Sequence, residues 1–263
     1  MNSHHERICS WEVAAAGYGS IVLSEPLPIR RIRESGAAPA DRRVWPATLP
    51  PVRHLLDHGL DPGRLTILVG ENGAGKSTII EAIAIAYGLS REGGSTGARH
   101  VTRATESDLH QSLLVDRGIG ASRWGYFIRA ETLHGLFSYL EDHPGRSDLP
   151  YHRMSHGESF MALMATRPFR SGGLFVLDEP EAGLSFETQI SLVGHLAELA
   201  RDELSQVIVA THSPIVAATP GATLLQLDDD GLTPSSWEDL AIVDHYRRFL
   251  DGPTRYLRHV VEG

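Results

Sequence analysis

Leu65-Thr66-Ile67-Leu68-Val69-Gly70-Glu71-Asn72-Gly73-Ala74-Gly75-Lys76-Ser77-Thr78 decides how the rest of the chain is read. Its first five residues are an apolar, β-branched run bounded by turn residues, which predicts a buried parallel strand. The next eight match G-x-x-x-x-G-K-[ST]. A helical pattern follows from about Lys76 to Tyr87, with Ile79, Ile80, Ile83 and Tyr87 on one face and Gly88 at its end. Strand, glycine loop and helix in this order form a phosphate cradle. Glycines let backbone N–H groups turn inward, and the helix dipole adds to the attraction. Asn72, Gly73, Ala74, Gly75, Lys76, Ser77 and Thr78 are the expected nucleotide contacts. Lys76 is expected to reach the β- and γ-phosphates of ATP, and the Ser77 hydroxyl to ligate Mg²⁺.

Three later segments fit the same chemistry. Leu174–Leu177 is a second buried strand that runs into Asp178, Glu179 and Pro180. Asp178 is expected to hold Mg²⁺ directly or through water, and Glu179 to act as general base toward the attacking water. Val207–Ala210 is a third strand, followed by Thr211-His212-Ser213. Parallel sheets present ligands at strand C-termini, so His212 is expected near the γ-phosphate. Met154-Ser155-His156-Gly157-Glu158-Ser159 opens a helical pattern 19 residues before the Asp-Glu strand. Taken alone, it reads as an ordinary capped helix start ahead of an anion site.

The order of these elements resembles the ATP-binding cassette superfamily. Ser155-His156-Gly157-Glu158 resembles its Ser-Gly-Gly-Gln signature, with His156 and Glu158 as departures. Glu181–Ser185 stands in the place of the D-loop, with Ser185 where Asp is usual. The stretches LVGENGAGKST (68–78), FIRAE (127–131), MSHGESF (154–160), LFVLDEPEAGLS (174–185) and ATHSP (210–214), with Trp237-Glu238-Asp239, are similar to small stand-alone bacterial ATPases described as AAA-family or ABC-like. The resemblance implies a head-to-tail homodimer with each ATP between Lys76 of one chain and Ser155, Gly157 and Glu158 of the other. It leaves Glu131 or Arg129 at the Q-loop position, and Trp45 as a candidate adenine platform. An unidentified protein or nucleic-acid partner would be driven by the cycle. The alternative is the nucleotide-binding subunit of a membrane transporter.

The rest of the chain bounds these readings. At 263 residues, with 41% apolar content, it predicts one α/β domain: a P-loop sheet with helices on both faces, and a small inserted lobe at about 99–165 carrying the signature helix. Lys76 and Asp178 are 102 positions apart, which leaves no room for long coiled-coil arms. A net charge of −9 disfavours general binding to DNA or anionic membranes. One cysteine, Cys9, cannot close an intrachain disulfide, and no apolar run of 18 residues appears, so a cytoplasmic location is expected. Residues 1–20 read as a polar tail leading to a strand at Ile21–Leu23, and Gly/Ser-rich 88–98 as a mobile loop. His110–Val115 and Trp124–Ile128 read as strands, Val52–Leu60 and 186–203 as helices, and Thr223–Leu227 as a fourth buried strand. From Trp237 on, helices broken at Gly252-Pro253 are expected.

Overall fold

The computed structural model describes residues 26–91, 93–95, 107–142, 154–166, 169 and 172–261. The expected strand at Ile21–Leu23 and the tail before it lie outside the described residues. A seven-stranded sheet organises the chain, in the order β3 (Gly94–Ser95), β5 (Gly125–Arg129), β6 (Gly173–Asp178), β7 (Ser205–Thr211), β2 (Leu65–Gly70), β8 (Thr223–Asp228), β9 (Gly231–Ser235). The five strands from β5 to β8 are parallel, and the edge strands β3 and β9 run antiparallel to their neighbours. β1 (Arg31–Glu34) and β4 (Leu113–Asp116) form a separate antiparallel pair.

Side chains of the central strands alternate between two cores. Leu68, Phe127, Leu174, Val176, Ile208 and Ala210 face α1 (Pro50–His58) and α2 (Lys76–Tyr87), where Val52, Leu55, Ile79, Ile80, Ile83 and Tyr87 are buried. Leu65, Ile67, Val69, Phe175, Leu177, Val207 and Val209 face the other side. There they meet α3 (Leu133–Asp142), α4 (His156–Met164), α5 (Phe186–Arg201), α6 (Pro214–Ala217) and α7 (Ala241–Asp251) through Phe137, Phe160, Leu192, Leu196, Val216 and Val243. Burial on both faces explains the unbroken apolar runs of these strands. The fold is therefore a mixed α/β P-loop sheet with helices on both faces. α8 (Pro253–Val261) follows α7 across Gly252, as the Gly-Pro break predicts.

Several local expectations are corrected. His110–Val115 does not form one strand. Leu109–Ser112 is a 3₁₀ turn whose first N–H donates to the Ser107 hydroxyl at 3.1 Å, and only then does β4 begin. Leu109 and Leu113 are both buried four residues apart, a helical spacing that masks the strand boundary. The Gly/Ser-rich stretch after Gly88 contains β3, which pairs with Tyr126 and Phe127, and Leu89 is buried in the core. The expected helix at Val52–Leu60 starts at Pro50 and ends before Gly59, because proline suits the first helical turn. Of the region about 99–165, residues 125–129 form β5 inside the main sheet and 156–164 form α4.

Candidate functional site

The C-terminal ends of β2, β5, β6 and β7 lie side by side in one parallel register, so the residues that follow them share one edge. After β2 the chain turns through Gly73 (φ 86°) and Gly75 (φ 91°), conformations that favour glycine. A Cβ on Gly75 would also stand 3.1 Å from Leu49 Cδ1, so the loop is packed as well as turned. Asn72 and Gly73 are exposed, while Gly75 and Lys76 are buried at the start of α2. Lys76 is 3% exposed, and its Nζ donates to the carbonyls of Gly70 and Glu71 at 2.8 Å each. Burial lowers its pKa, against the pull of Glu179 and the other carboxylates. Glu179 Oε1 lies 3.7 Å from Nζ.

The Ser77 hydroxyl donates to Asp178 Oδ1 at 3.0 Å, joining the two expected metal ligands. Asp178 is 5% exposed, and burial pushes its pKa up to about 6 against Arg129 and the Ser77 hydrogen bond. Glu179 has φ 48°, an unfavourable value for a non-glycine residue that sparse backbone regions reserve for functional positions. Its N–H donates to the Ala210 carbonyl at 2.9 Å. Its carboxylate lies 3.4 Å from His212 Nδ1.

Glu181, the first residue of the D-loop stretch, belongs to the site although it is not among the expected site residues. It is 4% exposed, accepts from the Thr211 hydroxyl, and accepts from the His212 N–H at 3.0 Å. It therefore fixes the turn that presents His212 beside Glu179. Its only signal is a carboxylate two residues after Glu179. Of the two Q-loop candidates, Arg129 closes β5 and lies against Asp178. Its Nε lies 3.5 Å from Asp178 Oδ2, whereas the Glu131 side chain is 86% exposed. A cavity of about 350 Å³ lies here, lined by Ser77, Arg129, Glu131, Asp178, Glu179 and Gly183.

Ser155, Gly157 and Glu158 are not brought to this cavity. Ser155 caps α4, its hydroxyl accepting from Glu158 N–H at 3.3 Å, and Glu158 Oε2 accepts from Ser155 N–H at 2.8 Å. This reciprocal capping box satisfies both side chains locally, and the backbone N–H lowers the Glu158 pKa. Both residues are exposed, and Gly157 packs near Thr188 of α5. Trp45 is 46% exposed in the segment before α1, four residues ahead of Leu49 at the loop.

The residues fit a magnesium nucleotide. Four buried side-chain polar atoms lack a hydrogen-bond partner among the described residues, and three of them, Arg129 Nε, Glu181 Oε2 and His212 Nδ1, flank this site. No three His, Cys, Asp or Glu side chains are grouped to hold a metal alone among the described residues. Magnesium bound by one or two protein oxygens plus substrate phosphates needs no such cage. Five carboxylates, Glu81, Glu131, Asp178, Glu179 and Glu181, surround two cations, Lys76 and Arg129. That excess of negative charge opposes a bare triphosphate and favours one that arrives with its cation.

The raised Asp178 pKa has a consequence for stability. The folded chain holds a proton that the unfolded chain releases above the ordinary value, so ionised Asp178 costs about 3 kcal/mol once the pH exceeds about 6. The cost fades as the pH falls from 6 toward 4. Asp178→Asn is therefore expected to raise the melting temperature of the nucleotide-free protein at pH 8, with a smaller gain at pH 4.5. Thermal melts at the two values check this, and a lower melting temperature at pH 8 contradicts it.

Comparison with known proteins agrees with this chemistry. A family described as "AAA domain, putative AbiEii toxin, Type IV TA system" matches residues 65–139 and 130–218. An uncharacterised ABC transporter ATP-binding protein of Haemophilus influenzae is 24% identical over 201 residues, 64% of this chain and 72% of its own length. The manganese transport system ATP-binding protein MntA of Synechocystis is 27% identical over 179 residues, covering 58% and 66%. A zinc import ATP-binding protein ZnuC of Vibrio vulnificus is 31% identical over 140 residues, covering 51% of each. The chain thus spans between about half and three quarters of these relatives. Among solved structures, a metal-chelate type ABC transporter in an inward-facing conformation aligns with a TM-score of 0.43 at 19% identity, over 71% of this chain and 77% of that one. No described helix is long and apolar enough to cross a membrane.

Proposed function

Since the chain belongs to this AAA domain family and, with it, to the ABC-type ATPase superfamily, we propose that it is a Mg²⁺-dependent ATP hydrolase working as an ATP-driven dimerising switch in the cytoplasm. One observation carries the reading. Lys76, Ser77, Asp178, Glu179 and His212 come from three separate strand ends, and each is joined to another of them by a hydrogen bond or an ion-pair contact.

The roles follow from chemistry. Loop N–H groups from Asn72 to Thr78 and the Lys76 ammonium bind the phosphates. Ser77 and Asp178 hold Mg²⁺. When bound, the metal neutralises phosphate charge and polarises the scissile bond. Glu179 accepts the proton of the attacking water, and His212, set by Glu181, orients Glu179. Ser155 and Glu158 face solvent within one chain, with Gly157 half-buried between them, which supports their use against a second copy. A protein or nucleic-acid partner would take up the closing motion. A second reading, the nucleotide-binding subunit of a transporter, is favoured by the manganese and zinc transport roles of the relatives. It expects a permease encoded next door and co-purification with membranes, where the switch reading expects neither.

Mixing tests the composite site. A Lys76→Ala chain and a Ser155→Arg chain are each expected to be inactive. In a mixed dimer one site carries both defects and the other neither, so activity is expected to return on mixing. Thermal melts establish that Ser155→Arg still folds without its helix cap. No recovery from mixed dimers shown to form contradicts the shared site.

A further inference from the structure

We propose that the trough between α5 and α7 is a docking site for a partner protein. It seats a segment that carries apolar side chains around one lysine or arginine, and Glu181 accepts from that cation.

The trough is a second cavity, of about 860 Å³. Ala182 and Gly183 line both it and the nucleotide cavity, so the two share one wall. Phe186, Ile190 and Val193 of α5 line it, as do Val243, Tyr246 and Leu250 of α7. These positions recur at helical spacing, so each helix gives the cavity one apolar stripe. Of the α7 residues only Val243 is buried. Phe186 is 63% exposed, Ile190 50%, Tyr246 50% and Leu250 73%. Four large apolar side chains left in water around one cavity mark an interaction surface, unlike apolar residues scattered singly. An amphipathic segment laid along the trough covers the cavity and its exposed rim together, as in helix-in-groove recognition.

The polar groups of the wall state the chemistry of that segment. Most of them are already satisfied within the chain. The Ser213 hydroxyl donates to Gln189 Oε1 at 2.7 Å, and Gln189 Nε2 donates to the Leu184 carbonyl at 3.2 Å. Trp237 Nε1 donates to the Pro214 carbonyl at 2.8 Å, and the Arg247 guanidinium lies 5.1 Å from the Trp237 ring centroid. Glu181 differs. Its Oε1 accepts from the Thr211 hydroxyl and the His212 N–H, while Oε2 is buried with no hydrogen-bond partner. Glu181 lines this cavity and is not among the residues that line the nucleotide cavity. A carboxylate oxygen only accepts, so its complement is an N–H donor, and a cationic donor gains most there. An acidic segment is repelled by the same carboxylate.

Selection from a phage-displayed library of short random peptides tests this without a known partner. The full chain is the target, Leu250→Glu protein serves for counter-selection, and nucleotide is left out throughout, so failure of the ATP-site reading leaves the result standing. Enrichment of peptides with apolar residues around a lysine or arginine is expected. The tightest of them is titrated by fluorescence anisotropy against wild type, Ile190→Glu, Leu250→Glu and Glu181→Gln. Ile190 and Leu250 are exposed, so both charged variants are expected to melt near the wild-type temperature. Each is expected to weaken the peptide at least about tenfold, because a charge then faces the apolar stripe. Glu181→Gln keeps the acceptor used by Thr211 and His212 and removes the countercharge. It is expected to weaken the peptide about tenfold, yet to leave unchanged the affinity of the same peptide with norleucine in place of its basic residue. No enrichment, enrichment of acidic or wholly apolar sequences, binding that survives Ile190→Glu, or equal losses for the two peptides each overturn the proposal. Wild type that is a dimer without nucleotide, with Leu250→Glu a monomer, places a second copy in the trough and overturns it as well.

Discussion

Glu179→Gln is expected to lower ATP hydrolysis about 10²- to 10⁴-fold while leaving Mg-ATP binding within a few-fold of wild type. The rate loss is that of a missing general base. Glu179 sits at the end of β6 beside Asp178, 3.7 Å from the Lys76 ammonium and 3.4 Å from His212 Nδ1. Its φ is 48°, and its N–H donates to the Ala210 carbonyl at 2.9 Å. Glutamine keeps the shape and an acceptor oxygen but is a negligible base. Lys76, Ser77 and Asp178 remain to bind the nucleotide. Steady-state phosphate release and equilibrium binding, measured side by side, check both halves. Hydrolysis at the wild-type rate removes Glu179 from the base role.

Lys76→Ala is expected to weaken Mg-ATP binding by at least about a hundredfold, since one buried cation is lost from a site already crowded with carboxylates. The ammonium donates to two loop carbonyls at 2.8 Å, those of Gly70 and Glu71. Removing it relieves a burial cost, so the variant is expected to fold and melt at or above the wild-type temperature. Titration with a fluorescent ATP analogue reads the loss. Binding within a few-fold of wild type contradicts the phosphate-loop assignment.

The central fold was legible because its signals were local. The apolar runs of β2, β6, β7 and β8 follow from burial on both faces, and each ends in residues whose chemistry announces itself. Lys76, Ser77, Asp178, Glu179 and His212 were named from spacing alone, and the sheet register sets their strand ends side by side. What escaped was set by tertiary contact. β1 reads as a charged RIRE segment, because only Ile32 is buried and its pairing partner lies some eighty residues away in β4. β9 contains Pro234 and Thr233, poor strand residues that an antiparallel edge tolerates. Glu81 is a single charge on an apolar helix whose partner, Arg129, lies 48 residues further along the chain. Glu181 reads as a loop carboxylate until it is seen holding Thr211 and His212. Ser155 and Glu158 were expected to serve a second chain, and within one chain they instead complete a capping box. The two roles are compatible, because Ser155 Oγ only accepts in the box and keeps its O–H to donate to a phosphate.

Light scattering of Glu179→Gln, with and without Mg-ATP, tests the dimerising switch most directly. A monomer without nucleotide and a stable particle of twice that mass with Mg-ATP are expected, because unhydrolysed ATP would persist between Lys76 of one chain and Ser155 of the other. A protein that binds ATP without hydrolysing it and keeps the monomer mass contradicts the switch.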